Sequence, residues 1–277
     1  MSMRLATVAL TRGYPTLEPY SLLINRNKHV LKTLYTPGTA GIDNIIFHEG
    51  NIPPAHQQYI QQQTPDLPLT FINVHATPTN AFRHSNIHLN DPPNVTHPTY
   101  ESNAFPLGYK HMCHFWFIDF LEACKEYDYI IRVDEDCFIQ YSPTLHDLAK
   151  SMRQRQVKYV TPFLCPKDND DVTVGLPELA HKYCQDNNVS MAPWREHKLP
   201  YTNCMVVDIK HFLYHSPLYQ GYAALVHNSG AIYINRWGDL PLWGVVVTNF
   251  LSPGQFEVDS SIRYYHESHK KMVNPML

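Results

Sequence analysis

The chain has 277 residues, 44% of them hydrophobic and 17% charged, with a formal net charge of −3 when His is neutral. That length and apolar content support one large α/β domain, or two closely packed halves, and exclude a disordered chain. The slightly acidic balance offers no basic excess to a nucleic-acid partner, and no apolar run is long enough to span a bilayer.

Arg4 to Leu10 reads as a first strand, an apolar run carrying β-branched Thr7 and Val8. It ends in the turn Thr11-Arg12-Gly13-Tyr14-Pro15. In a nucleotide-binding α/β half such a turn faces the base and ribose, so Thr11 and Arg12 are candidate donor contacts; a plain exposed turn fits them equally. Tyr20 to Leu34 follows with Leu23, Val30, Leu31 and Leu34 near helical spacing, stopped by Thr36-Pro37-Gly38. Asn44 to His48 is a second strand, Pro53-Pro54 opens a Gln-rich helix, and Leu69 to Val74 is a third strand. The order βαβαβ is that of a parallel sheet with a nucleotide crevice.

Residues 76–106 are rich in Asn, His, Pro and Thr without a period, which reads as a long functional loop. Leu107 to Lys125 is the most strongly patterned helix. Its stripe of Tyr109, Met112, Cys113, Trp116, Phe117, Phe120, Leu121 and Cys124 is core. Lys110 near its start suits either a phosphate or solvent.

Tyr129-Ile130-Ile131-Arg132-Val133 then forms a buried strand that delivers Asp134-Glu135-Asp136 at its C-terminal end, where open α/β sheets place ligands. Three adjacent acids repel one another and call for a cation or strong donors, and a divalent ion takes carboxylate and phosphate oxygens together. Arg132 is unusual in a buried strand and is expected to pair with a carboxylate or reach a ligand. A helix over 143–155, a strand over 157–164, a polar stretch over 166–200 and a strand over 201–208 follow. After a helix from about Ile209 come a strand-like piece over 231–237 and an apolar helix from the Trp237-Gly238-Asp239 turn through Leu251.

The six Cys, at 113, 124, 137, 165, 184 and 204, include no Cys-x-x-Cys pair. That usage argues against structural zinc and suits buried hydrophobes in a reducing compartment. No signal peptide precedes the first strand, so a cytoplasmic protein is expected, with a trimmed Golgi-luminal domain as the alternative.

Several stretches, in order, resemble the fungal-type α-1,2-mannosyltransferases. Tyr109-Lys110-His111-Met112-Cys113-His114-Phe115 is similar to that family's Tyr-Arg-x-Met-Cys-Arg-Phe, and the strand with its acids to Tyr-x-x-Arg-Val-Glu-Pro-Asp. Tyr201-Thr202-Asn203 matches more loosely, Arg236-Trp237-Gly238-Asp239-Leu240-Pro241 matches closely, and Ile262-Arg263-Tyr264-Tyr265-His266 resembles the family's Ile-Gly-Tyr-x-His end. The order is more specific than any single motif.

The resemblance implies a GT-A fold, a Rossmann-like mixed sheet flanked by helices. A nucleotide-sugar half (1–140) is fused to an acceptor half (141–277), and the cofactor is Mn2+ or Mg2+. It implies Asp136 and His266 as metal ligands, with Asp134 beside them on the metal through water or on the donor's ribose; beside that resemblance, Tyr109, Lys110, Arg132 and Glu135 are candidate donor contacts. Asp239 is implied as the base, and Trp237 and Trp243 as acceptor contacts if they are not simply buried. The family's Pro in the acidic motif is Glu135 here.

The compact, unanchored form is also similar to the glycosyltransferases that large algal viruses use on capsid glycans. That setting suits a UDP-sugar donor, UDP-xylose first, and with Asp239 as base a direct displacement onto an oligosaccharide or glycoprotein inverts the anomeric centre; the alternative is a retaining GDP-mannose enzyme. A non-catalytic nucleotide- or glycan-binding module is the reading from another class. A nucleotidyltransferase needs a Gly-rich loop where only Arg12-Gly13 stands.

Overall fold

The computed structural model describes residues 3–35, 41–74, 107–166 and 172–274. β1 (Leu5–Leu10), α1 (Ser21–Leu34), β2 (Ile42–His48), α2 (Pro54–Gln63) and β3 (Thr70–Asn73) follow in the expected order. α3 (Leu107–His114) continues through a π-helical turn, Phe115–Asp119, into a last turn at Phe120–Ala123. Then come β4 (Tyr129–Val133), β5 (Cys137–Tyr141), α4 (Leu145–Arg155), β6 (Tyr159–Thr161), α5 (Leu176–Asp186) and β7 (Cys204–Asp208). α6 (Pro217–Ser229), α7 (Asp239–Asn249), β8 (Phe256–Val258), β9 (Arg263–His266) and β10 (Lys271–Val273) complete the chain.

Seven strands form one sheet in the order β3-β2-β1-β4-β7-β6-β8, so strands from both expected halves share it. β1 pairs in parallel with β2 and β4, and β2 with β3, which is the expected βαβαβ unit. β7 runs antiparallel to β4 and β6, and β8 parallel to β6, making the sheet mixed. A second sheet, β10-β9-β5, is antiparallel.

β4 is buried along its whole length, and its period-two alternation divides the core. Ile130 packs with Trp116, Phe117, Tyr219, Tyr222 and Trp243 on one face. Tyr129, Ile131 and Val133 pack with Val30, Leu34, Leu148 and Met152 on the other. Arg132, between Ile131 and Val133, therefore faces the aromatic side.

Several elements differ from the sequence expectation. The strand-like piece at 231–237 is a helical turn, Ala231–Ile234, begun by Gly230 at φ 66°. That left-handed residue reverses the chain, and its carbonyl accepts from the Tyr233 and Ile234 amides at 2.9 and 3.0 Å. The polar 166–200 stretch contains α5, whose Leu176, Ala180 and Cys184 bury one narrow face at four-residue spacing. β5 follows the acids immediately, a strand that the sequence reading did not include. The 76–106 loop and the Thr36-Pro37-Gly38 stop lie outside the described residues.

Arg26 on α1 is fully buried and ties the layers together. Its Nη2 donates to the Val8 carbonyl and its Nε to the Val133 carbonyl, each at 3.1 Å, near the C-terminal ends of β1 and β4. Burial pulls the guanidinium down to about 10, which leaves it charged at neutral pH. Arg26→Leu removes both buried hydrogen bonds to strand-end carbonyls and is expected to cost about 3 kcal/mol. Urea unfolding measures that loss, and a variant as stable as the parent would mean that these bonds hold nothing together.

Candidate active site

The site lies at the C-terminal edge of β1 and β4. Because these strands are parallel neighbours, the turns that follow them meet. The Thr11 hydroxyl donates to Glu135 Oε2, and the Tyr14 hydroxyl donates to Glu135 Oε1 at 3.3 Å. Burial pushes the Glu135 carboxyl up, against the hydrogen bonds from Thr11 and Tyr14. Arg12 is exposed, with its guanidinium carbon 5.1 Å from the centre of the Tyr14 ring. Thr11, Arg12, Glu135, Glu49, Tyr109 and Met112 line a pocket of about 440 Å³.

Arg132 sits on the inner side of that edge. Its Nε and Nη2 donate to Asp134 Oδ1 and Oδ2 at 2.7 and 2.9 Å, a two-pronged pair, and its Nη1 donates to Asp239 Oδ2 at 2.5 Å. The guanidinium carbon lies 4.3 Å from the centre of the Trp116 ring. The side chain is 1% exposed. Burial opposes the charge, but the two carboxylates outweigh it and hold the guanidinium well above its ordinary value. Arg132 thus has Nε, Nη1 and Nη2 all engaged by carboxylates and does not line the pocket. The Asp134 carboxyl is pushed up by burial, with Arg132 working against that push. Asn203 brackets Asp134, accepting its backbone amide at 3.0 Å and approaching Oδ2 with its side-chain amide at 3.4 Å.

Asp136 points the other way, toward β9. The β5–β9 pairing places His266 opposite Cys137, which brings His266 Nε2 to 3.2 Å from Asp136 Oδ2. The Ser268 hydroxyl also donates to Asp136. Burial resists ionisation of Asp136, but His266 and Ser268 overcome it and bring its carboxyl down to about 2.

An ionised carboxylate beside an imidazole nitrogen is an N/O donor pair suited to Mn2+ or Mg2+, with phosphate and water oxygens completing the shell. Cys137 Sγ is near enough to join the pair, but a soft thiol is a poor ligand for a hard cation. Asp134 differs from Asp136. Both of its oxygens are held by Arg132, and it is not gathered with Asp136 and His266.

Other expected residues separate in the same way. Tyr109 lines the pocket, and its hydroxyl accepts from Arg236 Nη2 at 3.2 Å. Arg236 adopts φ 52°, a left-handed conformation that aims this side chain back across α3. Lys110 turns away and donates to the Tyr233 carbonyl at 2.7 Å. Trp237 and Trp243 are 2% and 0% exposed, and their indole N–H groups donate to Val174 and Trp116 carbonyls, so neither can offer a ring face to a sugar. Asp239, in the first turn of α7, is 6% exposed. The sequence reading passed over Tyr14, Asn203, Ser268 and His269. Only Asn203 carried a signal, as part of the Tyr201-Thr202-Asn203 match.

No protein-family profile matches the chain. It is 27% identical over 178 residues to the glycolipid 2-α-mannosyltransferase of Saccharomyces cerevisiae, an alignment covering 57% of this chain and 38% of that protein. The chain thus spans under half the length of the curated relatives it matches. Among solved structures, the mannosyltransferase Ktr4p of S. cerevisiae superposes with a TM-score of 0.73 at 16% identity, covering 95% of this chain and 70% of that one. Core-mannan synthase A of Aspergillus fumigatus, in its Mn/GDP form, superposes with a TM-score of 0.69 at 18% identity, covering 96% and 75%. The fold is therefore that of the GT-A glycosyltransferases. Within that class the chain resembles the fungal α-1,2-mannosyltransferases.

Two outcomes test this electrostatic layout. Arg132→Met leaves two buried carboxylates without their cation and is expected to destabilise the fold by about 3–5 kcal/mol; adding Asp239→Asn should recover part of that loss. The Asp136 carboxyl lies near 2 in the folded protein, against about 3.9 when unfolded. Its contribution is therefore complete above about pH 4 and is lost as pH falls toward 2. In metal-free buffer Asp136→Asn should flatten that acid limb of the thermal-unfolding curve, and an unaltered limb would contradict the assignment.

Proposed function

We propose that the chain is a metal-dependent glycosyltransferase that moves mannose from GDP-mannose to a hydroxyl of a glycan acceptor, forming an α-linkage. The Asp136–His266 donor pair carries this reading, because Asp136 directly follows Glu135, which lines the pocket at the ligand-binding edge of a GT-A sheet. The likeness to mannosyltransferases, one of them solved with Mn and GDP, supports a guanosine diphosphate donor over the UDP-xylose expected from the sequence. An α-linkage formed from an α-linked GDP-mannose means retention of configuration, in place of the inverting route.

A divalent cation held by Asp136 and His266 would neutralise charge developing on the departing diphosphate. Thr11, Arg12, Tyr109 and Glu135 would enclose the nucleoside end of the donor. Asp134, fixed by Arg132 and Asn203, would take a ribose hydroxyl or a cation-bound water. Asp239 has one oxygen on Arg132, and its other oxygen would accept a sugar hydroxyl, which makes it an orienting carboxylate. Donor binding draws on residues 1–140 together with His266, so the two halves build one site. No helix among the described residues is long and apolar enough to cross a membrane.

A thermal-shift screen of nucleotide sugars with and without Mn2+ tests the donor. GDP-mannose with Mn2+ should give the largest rise in Tm, since a ligand that binds only the folded state stabilises it by mass action. Asp136→Ala should abolish the Mn2+-dependent part. A larger rise with UDP-xylose, or a β-linked product by NMR, would restore the inverting reading. Donor binding with neither transfer nor slow donor hydrolysis would point to a non-catalytic module.

A further inference from the structure

Behind the metal-ligand pair is a three-member hydrogen-bond chain. The Tyr201 hydroxyl lies 2.8 Å from His266 Nδ1 and 2.8 Å from His269 Nδ1. The two imidazoles are close, with ring centres 4.1 Å apart. Tyr201 is 6% exposed and His266 2%, while His269 is open to solvent. The Tyr201 amide donates to the Phe163 carbonyl at 2.9 Å, and its own carbonyl accepts from the Thr161 hydroxyl at 3.1 Å, so the residue is fixed at both ends of its backbone. Its ring meets Phe163 edge-on at 6.1 Å. The hydroxyl is directed between the two imidazoles.

A phenol hydroxyl has one hydrogen to give and lone pairs to receive. Between two ring nitrogens it donates to one and accepts from the other, which allows two arrangements. In the first, Tyr201 donates to His266, whose hydrogen then sits on Nε2 and points at Asp136. That arrangement suits the bare ion-pair geometry and blocks a cation. In the second, His266 Nδ1–H donates to Tyr201 and Tyr201 donates to His269 Nδ1. Only this arrangement leaves a lone pair on His266 Nε2 facing Asp136. Atoms balance between the two. The hydrogens in the two bonds each move one place toward His266, His266 gives its Nε2 hydrogen to solvent, and His269 takes one from solvent at its Nε2.

We propose that Tyr201 and His269 are positioning residues that set the tautomer of His266 and thereby create the cation site. The inference rests on the metal-site reading above. A metal-bound His characteristically carries such a partner on its other nitrogen, and losing that partner costs roughly 10–100-fold in affinity. Here the partner is a hydroxyl whose own direction depends on a third residue.

The test is Mn2+ binding to the full chain without nucleotide, by titration calorimetry and by the Mn2+ electron paramagnetic resonance signal, with MnCl2 as the probe. Tyr201→Phe keeps the ring and loses the hydroxyl, and should weaken binding by roughly 10-fold or more. His269→Ala should weaken it in the same direction. His269→Gln, whose side-chain oxygen can accept from Tyr201, should restore most of the affinity, an effect that packing alone would not produce. His269 is exposed, so this pair reads out even if Tyr201→Phe folds poorly. Parental affinity in both Tyr201→Phe and His269→Ala, with Asp136→Ala still abolishing binding, would overturn the relay and leave the metal site standing. A parental chain that fails to bind Mn2+ would overturn both.

Discussion

A single buried guanidinium decides the shape of the site. Arg132 lies in the central strand with its flat face on Trp116 and three of its N–H groups on Asp134 and Asp239. Asp134 and Asp239 are 105 residues apart in the chain and belong to different structural layers, so this cation joins the end of β4 to the start of α7. Taking three charges out of water is expensive unless each is paired, and the penalty for removing one partner makes the arrangement all-or-none. The neighbouring acids inherit their roles from it. Asp134 is held and Asp136 is left to turn outward.

The outward acid is completed by the second sheet. β9 runs antiparallel to β5 with His266 opposite Cys137, and strand register alone brings imidazole to carboxylate. A slip of one residue would send His266 to the other face of the small sheet. The same geometry brings Ser268 and His269 to the edge where Asp136 sits, where the first supports Asp136 and the second meets Tyr201. The C-terminal segment therefore reaches the candidate site through its strand pairing with β5.

Much of the fold was legible. The βαβαβ start, the aromatic helix after residue 106 and the apolar strand ending in acids follow from periodicity, because one buried face repeats at 2.0 or 3.6 residues. Three elements escaped for identifiable reasons. α5 buries only a narrow face among polar residues. The Ala231–Ile234 turn has strand-like composition, and Gly230 decides otherwise. β5 hid behind the acids because its partner, β9, lies more than a hundred residues away. Of the candidate ligands, Asp136 and His266 came together as expected. Trp237 and Trp243 did not reach a sugar position, because large aromatics next to a motif are also the best core fillers.

The sequence by itself determined the class of fold and the chemistry available. Buried strands followed by carboxylates, spaced by helices, leave few alternatives to an α/β sheet with a cation-seeking edge. Only the tertiary structure divided the labour among Asp134, Glu135 and Asp136. Adjacent acids are identical to any local rule. One meets Arg132, one meets Thr11 and Tyr14, and one meets His266, through partners supplied by distant strands whose register no short stretch encodes.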